Sequence, residues 1–166
     1  MARSTYVRTT TENIVKTVTI VAILGCGVTL ASAGPSTKLV ARPAADLKWE
    51  PFYPGGPDES FVIGSKEAKT GPTGFFIRFK GGFDSGWHVH ESAYAGIVMS
   101  GTIVETNKGE AAAKLPAGSY YMQPTTVHKT ECAAGADCLV WIYEDGRFSF
   151  TPTDENGKAL KPPAKK

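Results

Sequence analysis

Apolar and polar residues alternate along short stretches of this chain, and glycine or proline separates the stretches. Residues 75–80 have large apolar side chains at every second position, with charged side chains between them near the end of the run. A period of two is the pattern of a strand with one buried face. Shorter runs rich in β-branched and aromatic residues occupy residues 47–52, 61–63, 97–99, 101–105, 120–122 and 139–143. The pattern therefore predicts many short strands.

The connections between these runs point to antiparallel sheets. Residues 145–146 are Asp-Gly, which predicts a two-residue hairpin that joins residues 139–143 to a strand over 147–150. Beyond residue 33 no segment repeats apolar residues with a helical period over three turns, and the alanine-rich residues 111–114 end at Pro116. We therefore expect an all-β domain, either a sandwich or a barrel.

The N-terminal part of the chain differs in character from the rest. Three basic residues lie within the first 16, an apolar segment follows at residues 17–30, and small residues occupy 31–33. This layout is typical of a secretory signal peptide, and the apolar segment is short for a membrane-spanning helix. We expect cleavage after Ala33 and export to the periplasm or the exterior. The alternatives are a permanent N-terminal anchor and lipid anchoring through Cys26, because residues 23–26 resemble a lipobox.

Length and composition suit one globular domain after that signal. The chain has 166 residues, of which 42% are hydrophobic, enough for a substantial core. We interpret residues 34–45 as a flexible leader, 46–150 as the domain and 151–166 as a polar tail that contains lysine and proline. Residues 1–33 hold three of the 18 basic residues and one of the 16 acidic residues, which leaves 15 of each. A formally neutral domain does not predict nucleic-acid binding.

Histidine occurs at three positions, which lie in two short segments. His88 and His90 are two residues apart, and His128 lies in the second segment. In an extended strand, residues two apart share a face, so the first two imidazoles should project the same way. Two imidazoles from one strand and a third from another can hold one divalent metal ion, such as Fe, Zn or Mn. The competing interpretation is that the imidazoles only form hydrogen bonds inside the domain.

The spacing around His88 and His90 resembles the first motif of the cupin superfamily. That motif runs Gly, five residues, His-x-His, three or four residues, Glu, six residues, Gly. Every interval is reproduced here, with a tyrosine in the position of the glutamate, by Gly82, His88, His90, Tyr94 and Gly101. The second cupin motif, Gly, five residues, Pro-x-Gly, two residues, His, is matched more loosely. Its counterparts, with a threonine for the second glycine and the histidine one residue early, are Gly118, Pro124, Thr126 and His128.

The resemblance implies a single-domain jelly-roll β-barrel or sandwich in which His88, His90 and His128 are metal ligands. Two further stretches, residues 47–52 and 143–148, resemble a small cupin-like family of uncharacterised function. Cupins host many reactions, so the fold alone does not assign one.

Tyr94 alters the chemistry that the resemblance implies, because the usual cupin ligand set also contains a carboxylate. A neutral phenol suits a hydrogen-bond donor to a metal-bound water or a substrate oxygen, which makes Tyr94 the candidate catalytic residue. Three neutral imidazoles leave the full charge of the metal, which attracts an anionic fourth ligand. Glu91 is a candidate replacement carboxylate, but strand parity points it to the surface. Gln123 either donates its amide to substrate or lines a loop.

Three functions stay open on the sequence. The first is an exported metal-dependent enzyme, a dioxygenase, lyase or hydrolase of cupin type, that acts on a small anionic or oxygen-rich molecule. The second is a sensor or carrier that binds metal or ligand without chemistry, and the third is a structural cupin with a vestigial site. We expect a small-molecule partner, no nucleic acid and no membrane after signal cleavage, with a homodimer as an open alternative.

Cys132 and Cys138 form an even pair once Cys26 has left with the signal peptide. An exported protein meets an oxidising compartment, in which two cysteines this close in sequence usually pair. We therefore predict a disulfide that pins a hairpin between the His128 strand and residues 139–143. Two free thiols are the alternative.

Overall fold

The computed structural model describes residues 38–160, which form two antiparallel β-sheets. The strands are β1 (Glu50–Pro51), β2 (Asp58–Ile63), β3 (Thr73–Phe79), β4 (His88–Val89), β5 (Tyr94–Ser100), β6 (Thr102–Asn107), β7 (Ala113–Pro116), β8 (Tyr120–Gln123), β9 (His128–Cys132), β10 (Cys138–Glu144) and β11 (Thr151–Pro152). A 3₁₀ turn, Ala44–Asp46, precedes them, and no α-helix occurs between residues 38 and 160. All the strands belong to the unit that begins at Ala41. The all-β prediction is confirmed.

The two sheets have the strand order of a jelly roll. The six-stranded sheet runs β1-β2-β3-β10-β5-β8, and the five-stranded sheet runs β11-β4-β9-β6-β7. Most connections cross from one sheet to the other, because β3, β5, β8 and β10 alternate along the chain with β4, β6, β9 and β11. From β3 onward, all consecutive strands except β6 and β7 therefore supply side chains to opposite walls of the interior.

The apolar core follows the alternation that the sequence predicts. In β3 the side chains of Phe75, Ile77 and Phe79 are buried, whereas Arg78 between them is exposed. The other central strands add further buried side chains: Val98, Ile103, Val140 and Ile142. Removal of this apolar surface from water is the main stabilising contribution to the fold.

The prediction of a hairpin at residues 145–146 is wrong. Residues 147–150 form no strand, and the chain instead crosses to the five-stranded sheet, where β11 pairs with β4. Non-local contacts override the local turn preference. The two phenylalanines of this segment line the interior, and the hydroxyl of Ser149 accepts a hydrogen bond of 2.7 Å from the backbone N–H of Glu91.

The described fold continues beyond residue 150, into the segment interpreted as a tail. Thr153 is buried, and its backbone N–H donates to the carbonyl of Trp87 at 2.8 Å. The start of the expected tail therefore forms the edge of the sheet that carries His88. The expected signal peptide, residues 1–33, lies outside the described residues. Within residues 38–160 no helix is long and apolar enough to cross a membrane.

The predicted disulfide between Cys132 and Cys138 is present, with the two Cα atoms 5.9 Å apart. Its structural setting differs from the prediction, because Cys132 ends β9 in the five-stranded sheet and Cys138 begins β10 in the six-stranded sheet. The bridge therefore joins the two sheets and does not pin a hairpin within one of them. Both cysteines are buried in the core.

Replacing Cys132 and Cys138 together by alanine should lower the free energy of unfolding by roughly 2 kcal/mol, the chain-entropy estimate for so short a loop. The measurement is urea unfolding of both proteins with and without dithiothreitol. Reductant should destabilise the wild type and leave the double variant unchanged. Intact-mass analysis after alkylation is the second measurement. Two alkylated thiols in the unreduced exported protein would contradict the bridge.

Candidate metal centre

Strand register places four polar residues in one row across the six-stranded sheet. Glu144 of β10 lies between Thr73 of β3 and Tyr94 of β5, and Tyr94 in turn pairs with Gln123 of β8. All four are at most 5% exposed. Burying a polar side chain costs free energy unless it forms hydrogen bonds or has a functional role. A whole row of such side chains therefore indicates that the functional site lies at this end of the interior.

A second polar row faces the first from the five-stranded sheet. His88 of β4 pairs with His128 of β9, which pairs with Asn107 of β6. The two rows are in contact. The hydroxyl of Tyr94 lies 3.4 Å from Nε2 of His128, and Nε2 of Gln123 donates to Oδ1 of Asn107 at 2.7 Å. The site therefore lies between the sheets and draws on both.

The three histidines singled out by the sequence come together, with one ligand nitrogen of each within 4.8 Å of the others. In every ring Nδ1 faces a backbone carbonyl: His88 faces Gly86 at 2.9 Å, His90 faces Ser149 at 2.5 Å and His128 faces Thr126 at 2.9 Å. A carbonyl oxygen only accepts, so each Nδ1 carries the hydrogen and each Nε2 keeps its lone pair. This hydrogen bond is what orients metal-ligating histidines in general. The donor set therefore fits a divalent transition metal.

Burial keeps the three imidazoles neutral. Burial, with a smaller contribution from the neighbouring His128 ring, lowers the pKa of His88 to about 3 and that of His90 to about 4. Burial also lowers the pKa of His128, against the hydrogen bond to Thr126. A metal binds only the neutral ring, so no proton has to leave these sites at neutral pH.

Tyr94 reaches the site from the sheet opposite His88. Residues 91–93 bend between β4 and β5, and Tyr94 points inward from the start of β5. Burial raises the pKa of its hydroxyl well above the ordinary value. A neutral phenol beside the lone pair of His128 can donate a hydrogen bond to a group bound there.

Sequence reasoning missed Glu144, which lines the same cavity. The residue is 1% exposed, and one carboxylate oxygen lies 3.9 Å from Nδ1 of His90, too far for a hydrogen bond. Burial raises the pKa of this carboxyl to about 8. Strand parity is the signal that could have found it, because Val140 and Ile142 precede it at intervals of two on the inward face of β10.

Sequence reasoning also missed a second buried carboxyl, that of Glu105, which the same strand parity could have found. It follows Ile103 by two residues on the inward face of β6, and Oγ1 of Thr130 contacts its oxygens at 2.9 and 3.1 Å. Burial raises its pKa to about 8, against hydrogen bonds from Thr130 and Tyr121. The ring of Tyr121 lies directly over Gly96, where a Cβ atom would come within 2.2 Å of it. Because Gly96 has no side chain, there is room for this ring.

Two of the histidines, together with Tyr94 and Glu144, line one cavity with an empty volume of about 530 Å³, mouth included. Its apolar wall is mainly aromatic and consists of Phe52, Tyr53, Phe75, Ile77, Phe79, Phe83, Ile142, Phe148 and Phe150. Its polar lining consists of Ser85, His88, His90, Tyr94, Tyr121, Thr130 and Glu144. An apolar pocket with a few convergent polar groups is the usual form of a small-molecule site.

Three sequence candidates lie outside this lining: His128, which is fully buried, Gln123 and Glu91. Gln123 is buried, and its amide nitrogen donates to Asn107 at 2.7 Å and to the carbonyl of Pro124 at 3.2 Å, so both amide hydrogens are engaged within the protein. Glu91 is exposed, as parity predicts, and pairs with Arg147.

Several solved structures share this fold. A protein of unknown function with a cupin-like fold from Ralstonia eutropha JMP134 has 17% identity and a TM-score of 0.60 over 76% of this chain and 77% of that chain. The DMSP lyase DddQ from Ruegeria pomeroyi DSS-3 has 13% identity and a TM-score of 0.56 over 69% and 64%. KdgF from Halomonas sp. has 17% identity and a TM-score of 0.51 over 62% and 90%. At these identities the likeness establishes the cupin fold.

A comparison with curated proteins gave no match. The model of one protein family matches residues 44–166, which include every described strand and the whole histidine site. The chain therefore has a cupin fold and belongs to the family described as a domain of unknown function, DUF4437.

Proposed function

We propose that this protein is an exported cupin that binds one divalent metal ion through His88, His90 and His128 and takes up a small anionic or oxygen-rich molecule as a further ligand. The observation that carries the proposal is the shared setting of the three rings: Nδ1 of each faces a backbone carbonyl, which leaves Nε2 as the ligand atom, and one ligand nitrogen of each ring lies within 4.8 Å of the others. Iron, zinc and manganese all suit imidazole ligands in such a site. When bound, such an ion acts as a Lewis acid that polarises the oxygen of its ligand.

The residues of this chain supply binding and proton chemistry around that ligand. The aromatic wall, with Phe75, Phe148 and Phe150 among its members, excludes water and so strengthens polar interactions inside the cavity. Tyr94 is a neutral donor for an oxygen of the ligand. Glu144 adds a carboxyl to the cavity lining, where neither sequence motif supplies one, and such a group can serve acid–base catalysis. A lyase is among the proteins with this fold, and Tyr94 with Glu144 supports acid–base chemistry of that general type.

A second candidate function is binding without turnover, as in a sensor or carrier. The observation in its favour is that Tyr94 occupies the place of the usual carboxylate ligand, so that all three protein ligands are neutral. Export is supported by the disulfide between Cys132 and Cys138, since such bridges persist in oxidising compartments.

The metal content of protein purified from the periplasm, without added metal or a histidine tag, tests the proposal. We expect about one divalent ion per chain, consistent with the one three-histidine group found among the described residues. Azide, a small anion, should then perturb the spectrum of the Co(II)-substituted protein and leave the metal-free protein unaffected. Iron would favour oxygen chemistry, and zinc would favour lyase or hydrolase chemistry. Protein that neither carries nor takes up metal would overturn the proposal and leave the vestigial interpretation.

Replacing Tyr94 by phenylalanine should leave the metal in place and weaken azide binding roughly tenfold, because a hydrogen bond to a charged group is lost. The measurement is a titration of the Co(II) protein beside the wild type. The Tyr94→Glu variant should complete the usual cupin ligand set, bind the metal more tightly and also lose azide. A Tyr94→Phe protein that cannot retain metal would instead identify the phenolate as a ligand.

A further inference from the structure

Glu144 has no hydrogen-bond partner among the described residues, although both its carboxylate oxygens are fully buried. Leaving such an acceptor unpaired costs about 1–3 kcal/mol or more, so native proteins rarely tolerate it without a use. Glu144 lines the histidine cavity, so the residue borders the space where the proposed ligand would bind.

Three donors beside Glu144 form no hydrogen bond with it. Thr73, its neighbour on β3, donates its hydroxyl to the carbonyl of Gly146 at 3.3 Å. Tyr94, its neighbour on β5, has its hydroxyl 3.4 Å from Nε2 of His128. Nδ1 of His90 donates a hydrogen bond to the carbonyl of Ser149. No residue between 38 and 160 donates a hydrogen bond to this carboxyl, so the cavity that Glu144 lines is where we look for its partner.

We propose that Glu144 recognises a hydrogen-bond donor, a hydroxyl or an ammonium group, on the same small molecule whose oxygen binds the metal. This inference rests on the proposed function and narrows its substrate class to short oxygen acids that carry a hydroxyl or amine at the other end. A carboxyl keeps acceptor lone pairs in either protonation state, so the need for a donor does not depend on its charge.

The aromatic wall suits the part of such a molecule between its two polar ends. Phe148 lies edge-on to Phe75, with ring centroids 5.1 Å apart, and Phe150 lies 4.6 Å from the ring of His88. These rings offer a methylene spacer apolar contact, and their faces also attract an ammonium group. The proposed molecule has three parts, and each has a counterpart in the site. Its anionic oxygen end suits the metal, its short apolar spacer suits the aromatic wall, and its donor end suits Glu144.

The test is calorimetric titration of the Zn(II)-loaded protein with matched acids. The probes are propionate, 3-hydroxypropionate and 3-aminopropionate, with the corresponding butyrates to vary the spacer. At least one donor-bearing probe should bind roughly tenfold or more tightly than its unsubstituted acid, as a hydrogen bond to a charged group allows. The comparison of the hydroxyl and amino probes identifies which donor is recognised.

Glu144→Leu should abolish that preference while raising the melting temperature, because a buried unpaired carboxyl is removed. Glu144→Gln, which keeps the acceptor without charge, should retain a hydroxyl preference and lose an ammonium preference. Glu91→Gln, which changes an exposed carboxyl in the segment after β4, is the control and should bind as the wild type does.

Two results would overturn the inference alone. One is a protein that binds azide through its metal but shows no preference for donor-bearing acids, and the other is a preference that survives in Glu144→Leu. Acids and azide that bind equally well with and without metal would instead overturn the proposed function, and the inference with it.

Discussion

Substituting asparagine for His128 should reduce metal affinity by more than about a hundredfold while the protein stays folded. The amide nitrogen of asparagine occupies nearly the place of Nδ1, so the hydrogen bond to the carbonyl of Thr126 can persist while the ligand nitrogen is lost. Changes that only disturb the support of a ligand already cost 10–100-fold, and loss of the ligand itself should cost more. Dialysis against a competing chelator, followed by metal analysis, measures the effect.

Equivalent substitutions at His88 and His90 should give losses of similar size, since the three ring nitrogens form one cluster. Each should also cancel the thermal stabilisation that metal gives the wild type, which is about 4 kcal/mol when the free metal is a thousandfold above Kd. Lys129→Ala is a matched control, because this side chain lies on the outer side of β9 and pairs with Glu131. Full metal occupancy in all three histidine variants would refute the site.

Glu105→Gln should remove a pH dependence of folding stability worth on the order of 3 kcal/mol between pH 5 and pH 8. Burial raises the pKa of Glu105 in the folded protein to about 8, from an ordinary value of 4.5. Between these two values the folded state binds more protons at this site than the unfolded state does, so the site lowers stability as pH rises. Glutamine keeps an acceptor for Thr130 and carries no titrating proton.

Urea unfolding of metal-free protein at several pH values measures the difference between the two proteins. The variant should be increasingly more stable than the wild type as pH rises through this window. Glu59 and Glu144 also have raised pKa values, but they are common to both proteins and leave the difference unchanged. Glu155→Gln, at an exposed position, should reproduce the wild-type slope. A Glu105→Gln protein with that same slope would show that the carboxyl does not titrate as inferred.

The features that the sequence determined by itself are those that depend on local geometry. The inward face of β3 could be assigned because side chains alternate in any extended segment, whatever its partner. The same rule placed His88 and His90 on one side of the chain and Glu91 on the other. The all-β class followed from strand-length runs between turn residues, and the cupin resemblance followed from intervals between residues. None of these inferences requires knowledge of which strands are neighbours.

The tertiary structure decided which strands face each other, because pairing and packing depend on residues far apart in the chain. Asp145-Gly146 has a local preference for a hairpin, yet contacts of the following aromatic segment with the interior send the chain to the other sheet. The same crossing pattern makes the bridge from Cys132 join two sheets and brings Tyr94 toward His128 from the opposite wall. Parity alone could have turned Glu105 and Glu144 inward. Only the packed sheets decide that one carboxyl meets Thr130 while the other meets no donor, because hydrogen-bond partners across a core are fixed by how its two walls come together.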